Sequence, residues 1–215
     1  MTMNDADVEA LVGHVKQKLP PRFDLVPDGW PGNIELALID AVLSIRAVYG
    51  VSASTGVRGA IASYKKSRSD RDSWDDLRTL AATDSAELQT VLSNRQKTGG
   101  VTKAEAIVSA ARRLVDAGVI HAGDLDRDSS QHRAAYTGTK GLGPVTWAYF
   151  AMLLGHEGVK ADTLVSRFVE QAIGRNPGAN QVEELVTEAA HRLGISPIIL
   201  DHAIWRYMSR PRDDG

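Results

Sequence analysis

Tyr136-Thr-Gly-Thr-Lys140-Gly141-Leu142-Gly143-Pro144-Val145-Thr146-Trp147-Ala-Tyr149-Phe-Ala-Met-Leu-Leu-Gly155, continued by His156-Glu-Gly-Val-Lys160-Ala161-Asp162-Thr163-Leu164-Val165-Ser166-Arg167-Phe168, is the stretch of this 215-residue chain that decides its reading. Two glycines one residue apart permit a tight turn with positive φ and leave backbone N–H groups uncovered. Pro144 suits the first turn of the apolar helix that follows. Free amides at a helix N-terminus make an anion site, and a nucleic-acid phosphate fits there. Gly-x-Gly alone also fits a plain helix–helix connection. Asp162 is a good N-cap for a helix over 163–173, and an Asp in that place is ordinarily only a cap.

Working outward, helical periodicity dominates. Residues 34–45 repeat apolar side chains at three- and four-residue steps, with Asn33 as the expected N-cap and Gly50 as the terminator. Further helices are expected over 56–66, from Ser73 (Ser-Trp-Asp-Asp76 has the form of a capping box), and over 84–92 with Asn94 at its end. Thr102-Lys-Ala-Glu105 is a fuller capping box, opening a helix that Gly118 stops. Helices over 145–155, 163–173, 181–193 and 197–208 complete the series. Strand signals are nearly absent: no Asn-Gly or Asp-Gly lies between alternating apolar runs. The fold class is all-α, with about ten helices near the usual length.

Composition narrows the chemistry. The chain has no Cys, which excludes disulfides, thiolate zinc sites, thiol catalysis and Cys-ligated iron–sulfur clusters. It also removes any case for an oxidising compartment. The longest near-continuous apolar run, 145–154, is too short to span a bilayer, and the acidic start MTMNDADVEA lacks a signal-peptide pattern. The expectation is a cytoplasmic protein with no membrane partner. The six His show no ligand spacing, so no catalytic metal is expected. With a formal charge of −2, any nucleic-acid contact has to rest on a local patch. Residues 56–73 carry Arg58, Lys65, Lys66, Arg68 and Arg71 against Asp70 and Asp72; such a run is usually a solvated helix face, and it can also grip a phosphate backbone.

Together, Gly141-Leu142-Gly143 with its apolar helix and Ala161-Asp162-Thr163-Leu164-Val165-Ser166-Arg167-Phe168 about twenty residues on resemble the helix–hairpin–helix DNA glycosylase superfamily (the HhH-GPD fold), to which endonuclease III and the alkylation glycosylases belong. The resemblance extends to 32–47, whose Gly-Asn-Ile-Glu-Leu and Ser-Ile-Arg46 are similar to the family's first core helix. It also covers Lys103-Ala-Glu-Ala-Ile107, Val182-Glu-Glu-Leu185 and Asp201-His-Ala-Ile-Trp205. It implies two helical lobes with a cleft between them, the N-terminal segment and C-terminal helices in one and the hairpin in the other. It also implies that a base is flipped from double-stranded DNA and its N-glycosidic bond is cut. Carried over, Asp162 is the catalytic carboxylate. Lys140, Gly141, Leu142, Gly143 and Val145 hold the DNA backbone through amides near the two glycines. The hairpin can hold a monovalent cation on carbonyl oxygens.

The chain departs from the family in three places. Members that also cleave the strand carry a Lys two residues beyond the second hairpin glycine, and here that position is Val145, which has no amine. The four cluster-binding Cys of endonuclease III are missing, so no iron–sulfur cofactor is expected. Arg46 stands where that branch has a Gln that plugs the hole left by the extruded base; Arg46 is equally readable as a surface ion-pair residue. Trp30, between Gly29 and Pro31, is the candidate for the base pocket, whereas Trp147 and Tyr149 read as core.

The expected organisation is an extension over 1–29, a glycosylase-like domain over 30–210 (hairpin 136–155, Asp loop 156–168) and a tail over 211–215, in a monomer. The expected function is a monofunctional DNA N-glycosylase without β-lyase activity. Two alternatives stay open: a catalytically silent helix–hairpin–helix binder of DNA structures, and a non-DNA helical interaction module, which suits the net negative charge.

Overall fold

A computed structural model describes residues 5–21, 29–47, 55–156 and 158–209. The expected Gly50 terminator and the 211–215 tail lie outside the described residues. In chain order the helices are α1 (Asp5–Lys18), α2 (Ile34–Leu43), α3 (Gly56–Ser67), α4 (Leu77–Ala82), α5 (Ser85–Leu92), α6 (Lys103–Asp116), α7 (Ser130–Thr137), α8 (Pro144–Leu153), α9 (Thr163–Ile173), α10 (Ala179–Arg192) and α11 (Pro197–Met208). A two-stranded ribbon, β1 (Lys97–Thr98) and β2 (Val101–Thr102), precedes α6. The chain divides into two compact units: residues 29–156, and residues 1–28 together with 157–215. Each has its own apolar core. The division places the N-terminal helix with the C-terminal helices and the hairpin in the other unit, as the family resemblance implied.

In the two-segment unit, α1 lays Val8, Leu11, Val12 and Val15 against α9 and α10. These four recur at three- and four-residue steps and form one apolar stripe. Residues 5–18, set apart as an extension on sequence grounds, are therefore part of this core. Arg192 of α10 reaches Asp5 and Glu9 of α1 and Glu188 of its own helix, and Arg175 pairs with Asp7. The Arg192 contacts are largely solvated and register the helices more than they stabilise them.

The other unit is built around α2, buried on every side except at Asp40. A helix that is apolar all round must be surrounded, and α3, α6 and α8 surround it. Its one fully buried acid, Glu35, accepts the Tyr64 hydroxyl and the Asp76 N–H (3.3 Å), with Arg71 at 3.9 Å. Burial raises the carboxyl of Glu35 above its ordinary value despite those bonds.

Two expected caps are placed differently. Asn33 makes no side-chain cap; its amide donates to the Pro31 carbonyl. The start of α2 is satisfied from a distance, with Ile34 N–H donating to the Asp75 carboxylate and Glu35 N–H to the Trp74 carbonyl. Residues 74 and 75 are thereby held out of a helix, so α4 starts only at Leu77, capped by Asp76 and not by Ser73. The capping box of Thr102 and Glu105 forms as expected. The ribbon and α7 had no sequence reading: each strand has two residues, too few for alternation to show, and Gly99 and Gly100 (φ 57° and 88°) make its turn.

Candidate active site

The hairpin is the six-residue link 138–143 between α7 and α8. Tyr136 closes α7 against α8, stacking on Phe150 at 5.4 Å and tilting onto Trp147 at 5.6 Å. Trp147 is buried, as its place on an apolar helix implied, and Tyr149 is half-buried against the same core. Leu142 points inward and its N–H donates to Thr139. Lys140 is exposed and Val145 half-buried.

The two glycines differ. Gly141 has φ 81°, and a Cβ there would lie 2.4 Å from Thr98 Oγ. The Thr98 hydroxyl donates to the Gly141 carbonyl at 2.9 Å, so the ribbon turn braces the hairpin from behind. Gly143 is extended (φ −148°) with open space around it. Its N–H is covered: Thr146 Oγ accepts it at 2.9 Å while donating to the Gly143 carbonyl. Of the two glycines, positive φ is thus found at Gly141 alone, and the expectation of an uncovered amide is corrected at Gly143. Among the described residues, the amides of this link and of the first turn of α8 left without an acceptor are those of Lys140, Gly141, Val145 and Thr146. Those of Val145 and Thr146 lie in the first turn of α8, where the helix dipole also favours an anion, whereas Gly141 N packs against Gly99 of the ribbon turn.

The carbonyls of Thr139, Gly141 and Gly143 already accept Leu142 N–H, Thr98 Oγ and Trp147 N–H. A carbonyl oxygen has two lone pairs, so those of Thr139 and Gly141 can each accept once more. Among the described residues no three His, Asp or Glu side chains gather as a metal set.

Asp162 caps α9 as expected. Oδ1 accepts the N–H groups of Leu164 (2.8 Å) and Val165 (3.0 Å). Oδ2 takes no hydrogen bond among the described residues. The carboxylate therefore has one oxygen fixed by the helix and one uncommitted. Asp162 belongs to the two-segment unit, the hairpin to the other.

Asp201, on α11 of the same unit as Asp162, has no site role in the sequence reading. It is 6% exposed, and its Oδ1 accepts the N–H of Lys160 at 3.0 Å. Burial and the negative charge of Asp162 push its carboxyl up to about 8. The signal in sequence was an acid on the stripe otherwise formed by Pro197, Leu200 and Ile204.

Arg46 is exposed, has φ 51° and forms no ion pair among the described residues. Trp30 is half-buried; its indole donates to Asp40 at 2.9 Å, and Lys65 lies 5.7 Å over its ring. Asp40 also accepts Ser44 Oγ and the Tyr149 hydroxyl, so it ties Trp30 to α8. The basic run over 56–73 is partly used inside the unit: Lys65 sits 4.6 Å over Trp74, Arg68 donates to Thr83 and Arg71 to Thr79. A polar cavity of about 280 Å³ opens beside Tyr64, Arg68, Arg71 and Glu87; none of the site residues assigned from sequence lines it.

Among solved structures, the chain is similar to one described as a trapped endonuclease III–DNA covalent intermediate in an estranged-adenine complex. The TM-score is 0.62 and the identity 19%, over 99% of this chain and 91% of that one. It is also similar to a thermostable thymine-DNA glycosylase, with TM-score 0.55 and 16% identity over 97% and 88%. At these identities the likeness concerns the fold, which is the all-α helix–hairpin–helix glycosylase fold. No curated protein matches the chain. A family model does match, over residues 9–209 and so through both units, and the chain belongs to that family, described as a domain of unknown function (DUF8548).

Proposed function

We propose that this protein is a monofunctional DNA N-glycosylase that removes a damaged or modified base from double-stranded DNA. The observation that carries the proposal is the split role of Asp162: Oδ1 is spent on the α9 amides and Oδ2 is left for chemistry. The likeness to glycosylase structures supports it at the level of fold.

Cleavage of the bond between C1′ and the base nitrogen leaves positive charge on the sugar ring. A fixed carboxylate stabilises that charge and is worth most where water is excluded. Oδ2 then accepts a proton from the water that adds to C1′, and the bonding electrons leave with the base. The amides of Val145 and Thr146 at the start of α8 hold a backbone phosphate, with Lys140 adding charge at the preceding turn. Arg46, exposed at the end of α2, fills the space of the extruded base, and Trp30 belongs to the base pocket. Val145 cannot form a Schiff base with the opened sugar, so the product is an abasic site in an intact strand.

The test is base release from duplexes carrying alkylated, deaminated, oxidised and hypermodified bases, with Asp162→Asn in parallel and hot alkali to reveal abasic sites. Release by the wild-type protein, its loss in Asp162→Asn and no borohydride-trapped adduct are expected. Duplex binding without release across the panel would replace this reading by a silent DNA-structure binder. No binding at low salt would leave a protein-interaction module.

A further inference from the structure

Behind the cap of α9 lies a carboxyl that the mechanism above does not use. Asp201 occupies the second turn of α11, on a face that otherwise buries Pro197, Leu200 and Ile204. Placing a carboxyl among apolar side chains is unfavourable unless it bonds. Its bond is to the backbone of the loop: Asp201 Oδ1 accepts the Lys160 N–H at 3.0 Å. The Lys160 carbonyl in turn accepts the Asp162 N–H at 2.6 Å. One residue, Lys160, therefore links the buried carboxyl to the residue that caps α9. A side chain that only filled this space would need no acceptor oxygen.

We propose that Asp201 is a positioning residue for Asp162: by accepting the Lys160 N–H it fixes the turn that aims Asp162 Oδ2 away from the helix. The consequence for the site rests on reading Asp162 as the reacting carboxylate; the mechanical role does not. Burial and the charge of Asp162 push the Asp201 carboxyl up to about 8, toward its acid form. It thus holds the turn without adding a second negative charge, and Asn can replace it in that task.

The experiment compares wild-type protein, Asp201→Asn and Asp201→Ala at pH 7, by amide hydrogen exchange followed by NMR and by base-release kinetics. In Asp201→Ala the amides of Lys160, Leu164 and Val165 are expected to exchange about 10-fold faster, the effect of losing one hydrogen bond. Those of Phe168 and Val169 in the middle of α9 stay as in wild type. In the same variant kcat is expected to fall about 10-fold with KM unchanged, and Asp201→Asn to restore both readouts to within about 3-fold. Wild-type exchange at the three amides in Asp201→Ala would overturn the proposal. So would a uniform rise through α9 and α11, which would make Asp201 a support of the unit alone. If no variant, wild type included, releases a base, the glycosylase reading falls while the exchange pattern still decides the role of Asp201.

Discussion

Lys103 Nζ donates to the carbonyl of Ile45 at 2.7 Å, one residue before Arg46. The same ammonium group bonds the Leu43 carbonyl at 2.8 Å and Gln96 Oε1 at 2.6 Å, and the side chain is 1% exposed. Lys103 thus closes the C-terminal end of α2, where orphan carbonyls need donors, and stabilises the segment in which Arg46 adopts φ 51°. Lys103→Met keeps the aliphatic stem and strands three acceptors. It is expected to lower stability by about 2–4 kcal/mol, measured by urea unfolding. A loss below about 1 kcal/mol would mean that water reaches these carbonyls in the folded protein.

The hairpin glycines answer differently to one methyl group. Gly141→Ala sets a Cβ 2.4 Å from Thr98 Oγ at a residue with φ 81°, and is expected to cost about 2–4 kcal/mol from strain and overlap together. Gly143→Ala meets nothing within 4 Å and keeps an extended backbone, and should change stability by less than about 0.5 kcal/mol. Thermal melts of the two variants side by side check the contrast. Equal losses would contradict the bracing of Gly141 by the ribbon.

Asp162 serves as a cap in the folded chain whatever it does to DNA, and the two roles separate by substitution. Asn ranks with Asp at this position, so Asp162→Asn should stay within about 0.5 kcal/mol of wild type, whereas Asp162→Ala should lose about 1 kcal/mol. Activity should vanish in both. Activity that follows stability, retained in Asn and reduced in Ala, would leave Asp162 as a cap only.

Asp201 makes stability fall with rising pH. Its ordinary value of 3.8 describes the unfolded chain, and in the folded protein it is pushed up to about 8, first by burial and then by Asp162, with Lys160 opposing. Below pH 4 both states are protonated and the group is neutral in its effect. Between pH 4 and 8 the unfolded chain ionises first, so stability declines, by up to about 1.4 kcal/mol per pH unit. Above 8 the effect levels off. Asp201→Asn removes it, so the variant should gain on wild type steadily from pH 5 to 8 in melting temperature. Parallel curves would show that Asp201 ionises normally in the fold.

Much of the fold was legible where local chemistry decides it. The box at Thr102 and Glu105, the Pro144 start and the helix after Asp162 all form where their capping and helix-start residues place them. Reading failed where partners are distant in sequence. Ser73 could not be excluded as a cap without knowing that Trp74 and Asp75 serve the start of α2. Gly143 could not be known to be covered, because that depends on the rotamer of Thr146. Asp162 was legible through its motif; Asp201 was not, since an acid inside an apolar helix announces burial only after its neighbours are placed.

The unit that carries Asp162 is assembled from both arms of the chain, α1 from one and α9 to α11 from the other. Its apolar stripe on α1 leaves the ribosome before α9 and α10 and has no lasting partner until they follow. Residues 29–156 can meanwhile complete their own core, because every helix in it lies between those bounds. Synthesis thus imposes an order, with the hairpin unit first and the Asp162 unit last. An α1 that waits with Val8, Leu11 and Val15 uncovered is where a holdase chaperone would find the nascent chain.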